Sequence, residues 1–143
     1  GSYGGYMTLR GITKFPDVFK VAVDIFGVSN LLSFSKSVPE DWRSFMDDLV
    51  GNPEKDKVML TEQSPIFALD KIKCPLMVVQ GAKDPRVVKD ESDQVVESMK
   101  KRGQPVEYLV FDDEGHGFFK LENELAAYKA IAEFILKTVP ASQ

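Results

Sequence analysis

Histidine and cysteine are almost absent. The 143 residues hold one of each, His116 and Cys74. One cysteine excludes a disulfide framework within the chain, and one histidine with one cysteine builds no Cys/His metal cluster. No metal and no other cofactor is expected. Basic clusters are also scarce: the net charge is -4 and the longest basic run is Lys100-Lys101-Arg102. Phosphate binding needs a concentrated positive face, so nucleic acid is not an expected partner. No apolar run approaches the ~20 residues of a membrane-spanning helix, and no signal peptide is visible. A membrane partner is therefore not expected, and the expected location is the cytoplasm. Internal repeats, low-complexity tracts and linkers are missing. What is present, 43% hydrophobic and 28% charged residues, describes one soluble domain with a real core.

Helical and strand patterns alternate along the chain. Tyr3 to Phe15 reads as a helix closed by Pro16, with Gly11 marking a tightly packed spot. Lys20 to Gly27 reads as a strand, Val21, Val23 and Ile25 on one face and Ala22, Asp24 and Phe26 on the other. Leu31 to Leu69 reads as a helical insertion. Ser37-Val38-Pro39-Glu40 has the form of a capping box, and the helix behind it carries Trp42, Phe45, Met46 and Leu49 before Gly51. Further helix starts are expected at Asn52-Pro53 and Ser64-Pro65. The aromatic stripe, Trp42 included, is expected in the core, and the segment as a whole against a substrate cleft. Pro75 to Gly81 is a second strand, with Cys74 before it as a buried small hydrophobe. Lys89 to Arg102 is a helix, acidic first and basic last, with Gly103 beyond it; Val106 to Phe111 is a third strand. Leu121 to Val139 is an amphipathic helix followed by Pro140, with Leu121, Leu125, Tyr128, Ile131, Ile135 and Val139 on its apolar side. This order predicts an α/β fold: three parallel strands with flanking helices.

In open parallel sheets chemistry gathers at the carboxyl ends of the strands. Gly1-Ser2-Tyr3-Gly4-Gly5, just ahead of a helix, has the form of a nucleophile elbow, G-x-S-x-G, lacking its first glycine and preceding strand. Gly-Ser alone also fits a tag remnant, but the residues after it and two later stretches argue otherwise. Gly81-Ala82-Lys83-Asp84-Pro85-Arg86-Val87 follows the second strand, and Asp112-Asp113-Glu114-Gly115-His116-Gly117-Phe118 follows the third. Serine, aspartate and histidine thus occur in the chain order of α/β-hydrolases. Ser2 needs a base to take its proton, and His116 is the one histidine. Asp84 is expected to hold the imidazole; Asp112 and Asp113 compete for that role but lie on the histidine's own loop. The Tyr3 backbone N–H is the expected oxyanion donor.

These stretches, with Val-Asp-Ile-Phe-Gly-Val-Ser-Asn at 23–30, Gly-Asn-Pro-Glu-Lys-Asp at 51–56 and Glu-Ser-Asp-Gln at 91–94, resemble the prolyl oligopeptidase family (S9). The acylaminoacyl-peptidase and dipeptidyl-peptidase branch is the most similar. The resemblance spans residues 1–143 and implies the C-terminal part of an α/β-hydrolase catalytic domain, with the N-terminal half of the sheet missing. It implies Ser2, Asp84 and His116 as the catalytic triad, Tyr3 as an oxyanion donor and Arg86 as a substrate-binding residue. The residues alone equally allow a surface salt bridge for Arg86.

The expected function is serine-type hydrolysis of short peptides, with ester cleavage beside it. Little or no activity is expected of this piece by itself. Two other readings remain open: a non-catalytic half-domain that self-assembles, and a small-molecule carboxylesterase. Peptide or ester substrates are the expected partners, together with a second copy of the chain docked at the edge strand Lys20 to Gly27, where Asp24 is the lone charge opposing pairing.

Overall fold

Leu76–Gly81 (β2) is buried along its whole length, as an apolar run of this kind requires. It is the middle strand of a three-stranded sheet in the order β1-β2-β3, with Ala22–Ile25 (β1) and Val106–Phe111 (β3) paired parallel on either side. The structure is a computed structural model and describes residues 1–139. Pro140, expected to close the last helix, lies outside them.

Because strand side chains alternate, β2 feeds two cores. Leu76 and Val78 pack with Leu9 and Ile12 of Tyr3–Lys14 (α1) and with Val95, Val96 and Met99 of Lys89–Lys101 (α5). Cys74 is buried there as expected. Met77 and Val79 pack on the other face against Phe134 of Leu121–Thr138 (α6). A smaller cluster, with Val28, Leu31, Leu60 and Val87, lies under the helical insertion. That insertion is Leu31–Ser37 (α2), Glu40–Leu49 (α3), Lys57–Gln63 (α4) and a 3₁₀ helix at Pro65–Lys71. Gly11 is tight as expected: a Cβ there would lie 3.3 Å from the Phe19 ring.

Several expectations are corrected. The first strand is shorter than Lys20 to Gly27, because Phe26 turns into the left-handed region at φ 43°. Asp24 does not guard the sheet edge; it is completely buried, on the α1 side of the sheet. The capping box does not form. Ser37 is the last residue of α2 and its hydroxyl donates to the Phe34 carbonyl, so Pro39 precedes α3 without a side-chain cap. Asn52 starts no helix. Its Oδ1 accepts the N–H groups of Glu54 and Lys55 in an Asx turn, and α4 begins at Lys57. In α3 Met46 alone is buried, while Trp42, Phe45 and Leu49 are exposed. In α6 the sheet-facing side is Ala127, Ala130, Ile131 and Phe134; Leu121, Leu125, Tyr128, Ile135 and Val139 are exposed.

Candidate active site

Ser2 stands at a sharp turn. Its φ of 53° and ψ of -122° lie where side chains are rare, and non-glycine residues stay there only when surrounding structure holds them. Two backbone bonds do so: the Ser2 N–H donates to Ile25 O at 2.9 Å, and Ser2 O accepts from Tyr6 N at 3.1 Å. The first places the serine at the end of β1; the second starts α1. Tyr3 opens the helix, so its N–H has no intrahelical acceptor and is free for a developing negative charge.

Asp84 sits in the turn after β2 with its side chain inaccessible. Its Oδ1 accepts the N–H groups of Arg86 at 2.8 Å and Val87 at 2.9 Å, which fixes the carboxylate plane. Its Oδ2 meets His116 Nδ1 at 2.7 Å. The other ring nitrogen, Nε2, lies 2.9 Å from Ser2 Oγ. With the proton on Nδ1, that nitrogen donates to Asp84, and Nε2 accepts from the serine hydroxyl. Asp113 is turned away, bonded to Lys120 and to Asn123.

The histidine loop is clamped from both sides. Glu114 is almost fully buried and accepts the N–H groups of Phe119 and Lys120 and the amide of Asn123. The Phe119 N–H, then Asn123, hold its carboxyl below the ordinary value. A Cβ on Gly81 would lie 2.2 Å from Gly115 O, so the aspartate and histidine loops touch backbone to backbone only because residue 81 is glycine. Phe26 packs its ring on the imidazole, centroids 4.6 Å apart. Phe26 and Glu114 are site residues that the sequence reading missed. Phe26 acts through its tertiary contact with His116, and Glu114 through its own loop, on Phe119, Lys120 and Asn123.

Two hollows meet at Ser2. One, of about 550 Å³, is walled by Tyr3, Tyr6, Val28, Leu31, Phe34 and Val87 among others. The second, of about 410 Å³, holds His116, Trp42, Pro85 and Arg86. Trp42, expected in the core, instead faces this hollow. Arg86 is exposed, and among the described residues its guanidinium makes no ion pair. The salt-bridge alternative therefore has no partner among the described residues.

The family model for the prolyl oligopeptidase family matches residues 1–141. The chain belongs to this family. It is 49% identical over 141 residues to dipeptidyl aminopeptidase BIII of Pseudoxanthomonas mexicana, covering 95% of the chain and 20% of that relative. It is 41% identical to dipeptidyl peptidase family member 6 of Caenorhabditis elegans, covering 94% and 19%. Among solved structures, a puromycin-hydrolyzing peptidase of Mycobacterium tuberculosis superposes with a TM-score of 0.92 at 32% identity, covering 99% of this chain and 22% of that one. An acylaminoacyl peptidase in complex with Z-Gly-Gly-Phe-chloromethyl ketone gives 0.88 at 26%, covering 99% and 23%. The chain thus spans about a fifth of the length of the curated relatives it matches. The family and these relatives are serine peptidases, and the three parallel strands with their helices match the C-terminal part of an α/β-hydrolase fold.

Proposed function

We propose that Ser2, His116 and Asp84 are the catalytic triad of a serine peptidase that cleaves short peptides. The supporting observation is the hydrogen-bonded line from Ser2 Oγ through both imidazole nitrogens to Asp84 Oδ2, at 2.9 and 2.7 Å. In this reading Ser2 Oγ attacks the scissile carbonyl while Nε2 takes its proton. The same nitrogen then delivers the proton to the leaving amine, and Asp84 stabilises the intervening imidazolium. The Tyr3 N–H faces the oxyanion. The larger apolar hollow takes the side chain of the residue whose carbonyl is attacked, and Arg86 holds substrate backbone from the other side.

An active-site phosphonate tests this reading. It should label Ser2 stoichiometrically in the intact protein, and Ser2→Ala should abolish both labelling and turnover while leaving the fold in place. Near wild-type turnover by Ser2→Ala would refute the assignment. Acyl-peptide, dipeptidyl and p-nitrophenyl ester substrates, compared side by side, separate a peptidase from a carboxylesterase.

A second reading is a non-catalytic unit that holds the three residues without turnover. It is favoured by the single oxyanion donor, the Tyr3 N–H, found among the described residues. Loss of one such donor typically costs ~10²–10³ in rate. Under this reading the 143-residue chain by itself shows little or no labelling or turnover.

A further inference from the structure

The apolar hollow beside Ser2 is walled in part by Val28 and Leu31, both buried. Val28 lies in the connection between β1 and α2, and Leu31 is the first residue of α2. Such a buried connection has N–H groups that must find acceptors outside a sheet ladder. One side chain of α5 supplies those of Ser29 and Asn30, while Ser64 Oγ accepts the Leu31 N–H at 2.8 Å. Glu91 is 0% exposed. Its Oε2 accepts the N–H groups of Ser29 at 3.0 Å and Asn30 at 2.8 Å, and lies 3.2 Å from the Ser29 hydroxyl. Its Oε1 accepts the Ser33 hydroxyl. The Ser29 hydroxyl also donates to the Glu91 carbonyl at 2.6 Å. One turn along α5, Gln94 Oε1 accepts from the Asn30 side chain at 3.1 Å. Among the described residues, every donor that reaches the Glu91 carboxylate thus comes from residues 29–33, between and just beyond the two wall residues. None comes from the Ser2, His116 and Asp84 line.

We propose that Glu91 is a positioning residue for substrate selection: its carboxylate fixes residues 29–33 and so sets the Val28 and Leu31 wall of the hollow beside Ser2. The carboxylate itself touches no substrate. The proposal rests on reading Ser2 as the nucleophile and this hollow as the side-chain pocket. A merely structural Glu91 would stabilise the whole chain and weaken all reactions at Ser2 alike. A positioning Glu91 acts selectively on ligands that fill the pocket.

Two probes distinguish these roles in the intact protein. A small alkyl fluorophosphonate needs only Ser2 and its histidine. A peptidyl diphenyl phosphonate with a phenylalanine-like side chain must also fill the pocket. Glu91→Gln keeps the side-chain shape but brings an NH₂ group against backbone N–H donors. It should slow the peptidyl probe at least ~10-fold more than the alkyl probe, the scale of a lost apolar pocket contact. Leu31→Ala, which cuts the wall directly, should give the same selective loss. Equal slowing of both probes by Glu91→Gln, or no slowing of either, overturns the proposal. If neither probe labels the wild-type protein, the nucleophile reading has failed, and Glu91 is judged by hydrogen exchange instead. The Ser29 and Asn30 amides should then exchange at least ~10-fold faster in Glu91→Gln while β2 amides keep their protection. Unchanged protection at Ser29 and Asn30 overturns it.

Discussion

Gly5 and Gly27 touch backbone to backbone. A Cβ on Gly5 would stand 2.3 Å from Asp24 Oδ1 and 2.7 Å from the Gly27 Cα, and the Gly27 backbone cannot swing aside as a side-chain end can. This contact presses the first turn of α1 onto the end of β1 and so sets where Ser2 turns. Gly4, the glycine of the S-x-G pattern, has nothing within 4 Å of its own Cβ position among the described residues. The two glycines thus differ: the close backbone approach requires Gly5 and leaves Gly4 unconstrained.

Gly5→Ala should therefore destabilise by on the order of 2–4 kcal/mol and lower phosphonate labelling of Ser2. Gly4→Ala should instead gain about 0.5–1 kcal/mol of helix stability. Chemical denaturation of the two variants checks the pair. A Gly5→Ala protein as stable as wild type would show that the two backbones can part.

Asp24 gives a pH dependence. Burial pushes its carboxyl up from the ordinary 3.8 to about 7, and the Gly27 N–H pulls it only part of the way back. Oδ1 accepts the Gly27 N–H at 3.0 Å, while Oδ2 has no partner among the described residues. The folded chain thus holds this proton more tightly than the unfolded chain. The contribution is fully present below the unfolded value and is lost as pH rises through the folded one. It amounts to about 4 kcal/mol at most. Between about pH 4 and about pH 7 the wild type should lose stability relative to Asp24→Asn, which cannot ionise, and the difference should then level off. Denaturation curves at several pH values measure the difference. Parallel profiles would mean that Asp24 is already ionised and compensated.

The choice between Asp84 and Asp113 can be tested directly. Asp84→Asn places an NH₂ opposite Nδ1 and favours the wrong tautomer, so kcat in the intact protein should fall ~10⁴-fold, as in other triads. Asp113 is bonded to Lys120 and Asn123, away from the imidazole, so Asp113→Asn should stay within ~3-fold of wild type. Similar losses from both variants would contradict the assignment of Asp84.

The reach of the sequence follows from where each signal is stored. Val106–Phe111 matches its expected bounds because a short β-branched run between a proline and an aspartate pair is a local pattern. Asp84 and His116 were legible because each follows a strand with glycine close by, and Ser2 because it has glycines around it just ahead of a helix. Trp42 and Phe45 were misplaced because an apolar stripe at helical spacing looks the same whether it faces a core or a cleft. Phe26 and Glu91 depend on residues far along the chain, Glu114 on the shape of its own loop, and a buried glutamate reads like a surface one until its partners are known.

The last prediction concerns the outer edge of β1, where a second copy of the chain is the expected occupant. β1 ends the strand order. The N–H groups of Ala22 and Phe26 bond to Pro75 O and Val79 O on the β2 side, while Ile25 O accepts from Ser2 on the other side. Strand groups alternate, so the Val23 N–H also points outward, with no strand beside it among the described residues. Asp24 points inward and cannot blunt this edge. Beside it lies a groove lined by Met7, Ile12, Phe19, Val21 and Val23, with Met7 and Phe19 exposed. An apolar surface next to unpaired strand groups favours strand addition, and a two-fold axis lets one edge serve both copies. Light scattering at micromolar concentration should give twice the 16.0 kDa of one chain. Val23→Pro removes an outward donor while leaving the bonds to β2, so it should return the chain to a monomer. A wild-type chain that is monodisperse at 16.0 kDa with a cooperative melt would show that the edge needs no partner.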